Sequence, residues 1–206
     1  MSEAGGRYPE VVVATGNAGK LIEIRAILGS LPVSLRSLEA FPDVLLPEEG
    51  DEYEANAIAK AKAVARDAGR PAVADDSGLE VTGLDGGPGP FSARYGGAGL
   101  DDAGRVAYLL AELGDAEGAA REARFVCVAA LATPDGVVET AWGECPGTIL
   151  EKPQGHGGFG YDPVFFSTEQ GKVMAELPAA AKNAISHRGR AFLALQPAIE
   201  RAVLGR

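Results

Sequence analysis

The sequence predicts an α/β fold in one domain, with a mixed β-sheet flanked by helices. Three features predict it. The chain opens as strand, helix and strand over residues 10–38; two long strand-like stretches, 123–133 and 137–149, are joined by the hairpin signal Pro134-Asp135-Gly136; and no linker rich in Pro, Gly or Ser divides the 206 residues.

Taken in order, residues 10–14 carry the apolar run Val11-Val12-Val13-Ala14, which reads as a strand. Residues 18–28 place Leu21, Ile24, Ile27 and Leu28 at helical spacing, and residues 33–38 alternate Val33, Leu35 and Ser37 with Ser34 and Arg36. After a loop through Pro42 and Pro47, residues 51–68 set Ile58, Ala61, Ala65 and Ala68 on one helical face and stop at Gly69. Residues 72–75 read as a short buried strand, broken by Ser77-Gly78 before 79–81. A long Gly/Pro-rich loop over 83–99 follows, and such a loop inside a compact chain is usually functional. Residues 101–113 return to helical spacing through Val106, Leu109, Leu110 and Leu113. Beyond the hairpin come a loop over 151–162, a short strand over 164–166, and helices around 177–184 and 190–203.

Hydrophobic residues make up 46% and charged residues 23%, a globular balance without an apolar tract suited to crossing a membrane. Residues 1–7 have neither an apolar core nor a basic leader, so the reading is a disordered N-terminal extension ahead of one domain over 8–206, in a cytoplasmic protein. The two cysteines, Cys127 and Cys145, lie in apolar strand-like segments and suggest reduced core residues rather than a zinc site or a disulfide. A net charge of −10 argues against nucleic-acid binding through a basic face, while leaving room for a small anion held by a few local cations.

Such cations exist. Thr15-Gly16-Asn17-Ala18-Gly19-Lys20 joins the first strand to the first helix, where glycines let the backbone bend and successive N–H groups converge on one anion beside the Lys20 charge. It is not a Walker A loop, because Ala14 and Leu21 stand where that motif needs Gly and Ser or Thr. Asp75-Asp76-Ser77-Gly78 ends a strand, so its two carboxylates point to opposite faces. Asp76 is the candidate Mg²⁺ ligand or base for water, while Asp75 reads as an Asx cap on the strand end. Glu48 and Glu49 offer a second metal ligand, and Lys60 either reaches phosphate or, the preferred reading, belongs to a solvated helix face. In the 155–162 loop, Phe159 is the candidate to stack a base; His156 gains no role. Lys182, Ser186, His187 and Arg188 group donors at a helix junction, with Ser186 as N-cap. A serine nucleophile is disfavoured, since no Gly-x-Ser-x-Gly elbow is present.

These motifs, together with Glu54-Ala55-Asn56-Ala57, Ser92-Ala93-Arg94-Tyr95 and Ile185-Ser186-His187-Arg188-Gly189, resemble the non-canonical purine nucleoside triphosphate pyrophosphatase family, also known as inosine triphosphate pyrophosphatase or XTP/dITP diphosphatase. The match spans nearly the whole chain. The resemblance implies a two-lobed fold, a homodimer, and Mg²⁺-dependent hydrolysis of ITP, dITP and XTP to monophosphate and pyrophosphate, which cleanses the nucleotide pool. It implies Asp76 as proton acceptor and metal ligand with Glu48, although Pro47-Glu48-Glu49-Gly50 departs from the family's Glu-Glu-Thr-Gly. Thr15, Gly16, Asn17, Ala18, Gly19 and Lys20 would hold the triphosphate, and Ser77 would touch substrate. Phe159, Gly160, Tyr161 and Asp162 would clasp the base, and Lys182, His187 and Arg188 would complete the pocket.

The expected chemistry is in-line attack of water on the α-phosphorus, with Lys20 and Lys182 stabilising the leaving pyrophosphate. The rival reading is a purine-nucleotide sensor that binds without cleaving.

Overall fold

A computed structural model of the protein describes residues 8–205; the extension expected over 1–7 falls outside the described residues. Strand β1, Glu10–Val13, is followed by helix α1, Ala18–Leu28, and by strand β2, Ser34–Ser37, which lies parallel to β1. Val11, Val12 and Val13 are wholly buried, and each such side chain contributes about 1.5–3 kcal/mol by leaving water. Helix α2, Tyr53–Ala68, then crosses to strand β3, Ala72–Val81, on the other side of β1. Gly69 closes α2 in the left-handed conformation that glycine adopts without a Cβ penalty.

The order of the main sheet path is β2-β1-β3-β5-β6-β7-β8, with the short β4, Pro88–Gly89, also paired to β3. Strands β5, Glu122–Ala132, and β6, Val138–Ile149, form the expected hairpin, and β7, Phe165–Ser167, and β8, Lys172–Val173, complete the antiparallel side. The chain therefore reverses direction of winding at β1. In open α/β sheets ligands bind outside the carboxyl ends of strands at such a point.

One expectation is corrected here. Ser77-Gly78 does not break a strand: β3 runs unbroken for ten residues, paired antiparallel with β5 from Ala72↔Ala132 to Val81↔Ala123. Tertiary pairing along this length overrides the local turn preference of Ser-Gly.

Three apolar clusters form the core. One packs α1 and α5 (His187–Ile199) on one face of the sheet, and a second packs α2 on the opposite face. The third lies at the far end of β3 and β5, where α3, Asp102–Leu113, covers Leu79, Phe125 and Phe165 and makes the second lobe. The cysteines are buried as expected, and burial pushes the Cys145 thiol up to about 11 and raises that of Cys127 as well, so neither is a ready nucleophile. No helix among the described residues is long and apolar enough to cross a membrane.

Candidate active site

The turn after β1 is built by its own side chains. Asn17 caps α1 by accepting the Lys20 N–H at 3.0 Å, and Thr15 Oγ1 accepts the Asn17 N–H at 3.1 Å. Neither Gly16 nor Gly19 has a positive φ. Gly19 is required by close approach instead: a Cβ there would meet the Phe159 ring at 2.8 Å. The turn thus touches the 155–162 loop directly. Asn17 and Lys20 line a cleft, whereas Thr15, Gly16 and Ala18 line a neighbouring hollow against Phe41, Pro42 and Val44.

Strand alternation separates the two aspartates of β3. On the α5 side, Asp75 Oδ2 takes Lys20 Nζ and Arg188 Nη2, each at 3.0 Å, and Arg188 also donates to Ser77 Oγ at 2.8 Å. Burial pushes the Asp75 carboxyl up, but the charges of Lys20, Arg188 and Lys60 outweigh it and hold the group well below the usual carboxylate range. Asp75 is therefore an ionic anchor rather than the Asx cap expected from sequence. Glu23 from α1 completes this face, with Oε2 at 2.6 Å from Arg188 Nη1 and Oε1 at 2.8 Å from Lys182 Nζ.

On the α2 side, Asp76 Oδ2 accepts from Asn56 Nδ2 at 2.8 Å, while Oδ1 lies 3.4 Å from Lys60 Nζ. Here burial wins over Lys60 and Asn56, so the Asp76 carboxyl sits above its ordinary value. Lys60 is not on a solvated face. It is 4% exposed and is clamped between Asp76 and Glu49. Glu49 also receives Arg94, whose Nη2 donates to its carbonyl oxygen at 3.0 Å. Glu48 is exposed and makes no hydrogen bond or ion pair among the described residues, so of the two glutamates it is the one left uncommitted. Asn56 holds Gly50 through both its N–H and its carbonyl, fixing this acidic loop beside Asp76.

The far wall comes from the Gly-rich loop and the α4–α5 junction. Asp162 Oδ2 accepts the Phe159 N–H at 2.8 Å and pairs with Lys182, near the middle of α4, Ala179–Ile185. Burial keeps its carboxyl raised despite that partner. Tyr161 donates to the Ser92 carbonyl at 2.9 Å, and the Gly160 N–H donates to Asp102 Oδ2 at 2.7 Å. Asp162 and Tyr161 thus brace the loop, and Phe159 is left as the half-buried ring facing the cleft, with Lys182 Nζ 4.8 Å from its centroid. Ser186 caps α5 through the Gly189 N–H at 3.0 Å, as expected. His187 stacks on Phe125 at 4.7 Å, and its buried Nδ1 has no hydrogen-bond partner among the described residues. Burial, reinforced by Arg188 and Lys182, pushes its pKa well below the usual value, so the ring is neutral at pH 7.

Sequence reasoning brought together Asn17, Lys20, Ser77, Phe159, Gly160, Tyr161, Asp162, Lys182, His187 and Arg188, all of which line the one cleft. It gave no role to Glu23 or to the Asn56 side chain. For Glu23 a signal existed: it adjoins Ile24 within the apolar stripe of α1, three residues from Lys20.

Residues 11–198 match the Ham1 family. The chain belongs to the Ham1 family. Among its Ham1 relatives, a protein of Geobacter sulfurreducens named dITP/XTP pyrophosphatase is 53% identical over 90% of this chain and 94% of its own length. A dITP/XTP pyrophosphatase of Thermus thermophilus is 48% identical over 92% of this chain and 91% of its own. In three dimensions a HAM1 protein from Coxiella burnetii superposes with a TM-score of 0.83 at 39% identity, covering 93% of this chain and 98% of that one.

Proposed function

We propose that this Ham1 protein hydrolyses non-canonical purine nucleoside triphosphates, dITP, ITP and XTP, to the monophosphate and pyrophosphate, and so cleanses the nucleotide pool. The activity follows the well-covered relatives named for it. The observation that carries the mechanism is Asp76: a buried carboxyl raised above its ordinary value, at the switch point of the sheet and one residue from the cleft-lining Ser77.

Asp76 accepts the proton of the attacking water, whose oxygen bonds to the α-phosphorus as the α–β anhydride bond breaks and pyrophosphate leaves. Lys20, which lines the cleft, is the cation suited to the charge that grows on the leaving group. Lys182, assigned there from sequence, is committed to Glu23 and Asp162 beside Phe159 and serves the base end instead. Phe159 stacks the purine, while Lys182 and Arg188 supply donors toward a 6-oxo group. Adenine's 6-amino group would leave those donors unpaired.

The donor set suits Mg²⁺, which takes one or two carboxylates with substrate phosphates: among the described residues Glu48 is uncommitted, and Asp76 Oδ1 has only the 3.4 Å contact with Lys60. Glu48 and Asp76 would hold the ion, which supplies Lewis-acid polarisation of the phosphate when bound. A homodimer in the cytoplasm belongs to the same reading.

The test is pyrophosphate release from dITP, XTP, GTP and ATP, each with Mg²⁺ and with EDTA. Mg²⁺-dependent release from dITP and XTP alone supports the reading. Binding without release supports the sensor, and turnover of GTP equal to that of dITP removes the selectivity against canonical purines.

A further inference from the structure

We infer that Glu23 is a positioning residue for base selection: from behind the cleft it fixes Lys182 and Arg188, the two cations that flank Phe159. This rests on the dITP/XTP reading above.

Glu23 does not line the cleft, yet it is 9% exposed and spends both carboxylate oxygens on residues 159 and 165 positions away. Its partners continue into an alternating chain of charge. Lys20 meets Asp75, Asp75 meets Arg188, Arg188 meets Glu23, Glu23 meets Lys182, and Lys182 meets Asp162, which takes the Phe159 N–H. Three cations face three carboxylates, so the set is neutral before a nucleotide enters. Glu23 is its middle link, and because it stands one turn after Lys20 on α1, it ties the phosphate end to the base end.

The direction of each donor depends on this link. Arg188 sends Nη1 to Glu23 and sends Nη2 and Nε to Asp75, which orients the planar guanidinium from two sides. Lys182 has a flexible four-carbon stem, and among the described residues Glu23 and Asp162 are the carboxylates that hold its ammonium in place. Burial pushes the Glu23 carboxyl up, but Arg188 and Lys182 prevail and keep it ionised. A donor rejects a 6-amino group only while it is held in one direction; a loosened one can turn away.

Glu23→Gln keeps the shape but removes the charge and offers an N–H₂ to one of two cations. Steady-state kinetics with dITP and dATP, and inhibition by inorganic tripolyphosphate, separate the base end from the phosphate end. We expect the dITP KM to rise about tenfold, kcat to stay within about threefold, and selectivity for dITP over dATP to fall about tenfold. Tripolyphosphate, which has no base, should inhibit as before. Equal weakening of tripolyphosphate and dITP, a loss confined to kcat, or unchanged selectivity would each overturn the inference. Should Glu23→Gln not fold, Glu23→Asp retains the charge but is too short to reach both cations; a folded Glu23→Asp with wild-type selectivity overturns it equally. Wild-type protein that fails to turn over dITP refutes the hydrolase reading alone, and Glu23 is then judged by dITP binding against tripolyphosphate binding.

Discussion

The two faces of β3 carry chemically identical residues one position apart and treat them in opposite ways. Asp75 is 2% exposed and meets Lys20 and Arg188 at 3.0 Å; Asp76, equally buried, has a neutral amide at 2.8 Å and an ammonium only at 3.4 Å. Cations drive the first carboxyl far down, and burial leaves the second raised. Burial alone therefore does not decide what a buried carboxylate does. An acid with close, fully charged partners is held ionised, whereas an under-compensated one is held closer to a proton, which is what the proposed role of Asp76 as base requires.

The largest effect that tests this contrast is on turnover. Asp76→Asn should lower kcat by about 10²–10⁴-fold while dITP still binds, as loss of a positioned base does; stopped-assay pyrophosphate release and equilibrium binding check the two halves. On the other face, Asp75→Asn should cost about 3–5 kcal/mol of stability, since it strips the shared partner from the buried Arg188 and the half-buried Lys20; a urea unfolding midpoint reads this directly. Smaller than either is the effect at Gly78, which shares the Asp76 face. Its added Cβ in Gly78→Ala would collide with the Gly89 carbonyl and lie 2.7 Å from the Tyr53 hydroxyl. Overpacking of this kind costs about 1–3 kcal/mol, and the thermal midpoint should fall accordingly.

The smallest expected effect is a pH slope. His187 is depressed in the folded state, so the unfolded chain binds the extra proton first; stability is complete above about pH 6.5 and falls as pH drops below it. Asp75 and Glu23 are also depressed, and their loss begins lower, below the ordinary carboxylate range of about 4. His187→Phe should flatten the denaturation profile between about pH 5 and 6.5 and leave the steeper acid limb in place.

How much of this was legible in the sequence depended on range. Strand alternation alone separated Asp75 from Asp76, and hydrophobic spacing gave α1 its observed bounds, because both are local periodicities. The unbroken course of β3 was not legible, since its cause is ten residues of pairing with β5. Lys60 read as solvated because its partners lie 11 and 16 positions away, in a loop and a strand. Glu23 could be suspected as buried from its place in the apolar stripe of α1, but its partners Lys182 and Arg188, far along the chain, could not be read. Gly19 was legible as necessary but for a mistaken cause: the Phe159 ring, 140 residues on, fills the space a side chain would need.

The division of labour on β3 is tested most directly by measuring pyrophosphate release from dITP and the urea midpoint together for Asp76→Asn and Asp75→Asn. The account predicts that Asp76→Asn unfolds at about the wild-type midpoint and releases almost no pyrophosphate, while Asp75→Asn unfolds at a clearly lower midpoint. Wild-type turnover by Asp76→Asn, or an unchanged midpoint in Asp75→Asn, would contradict it.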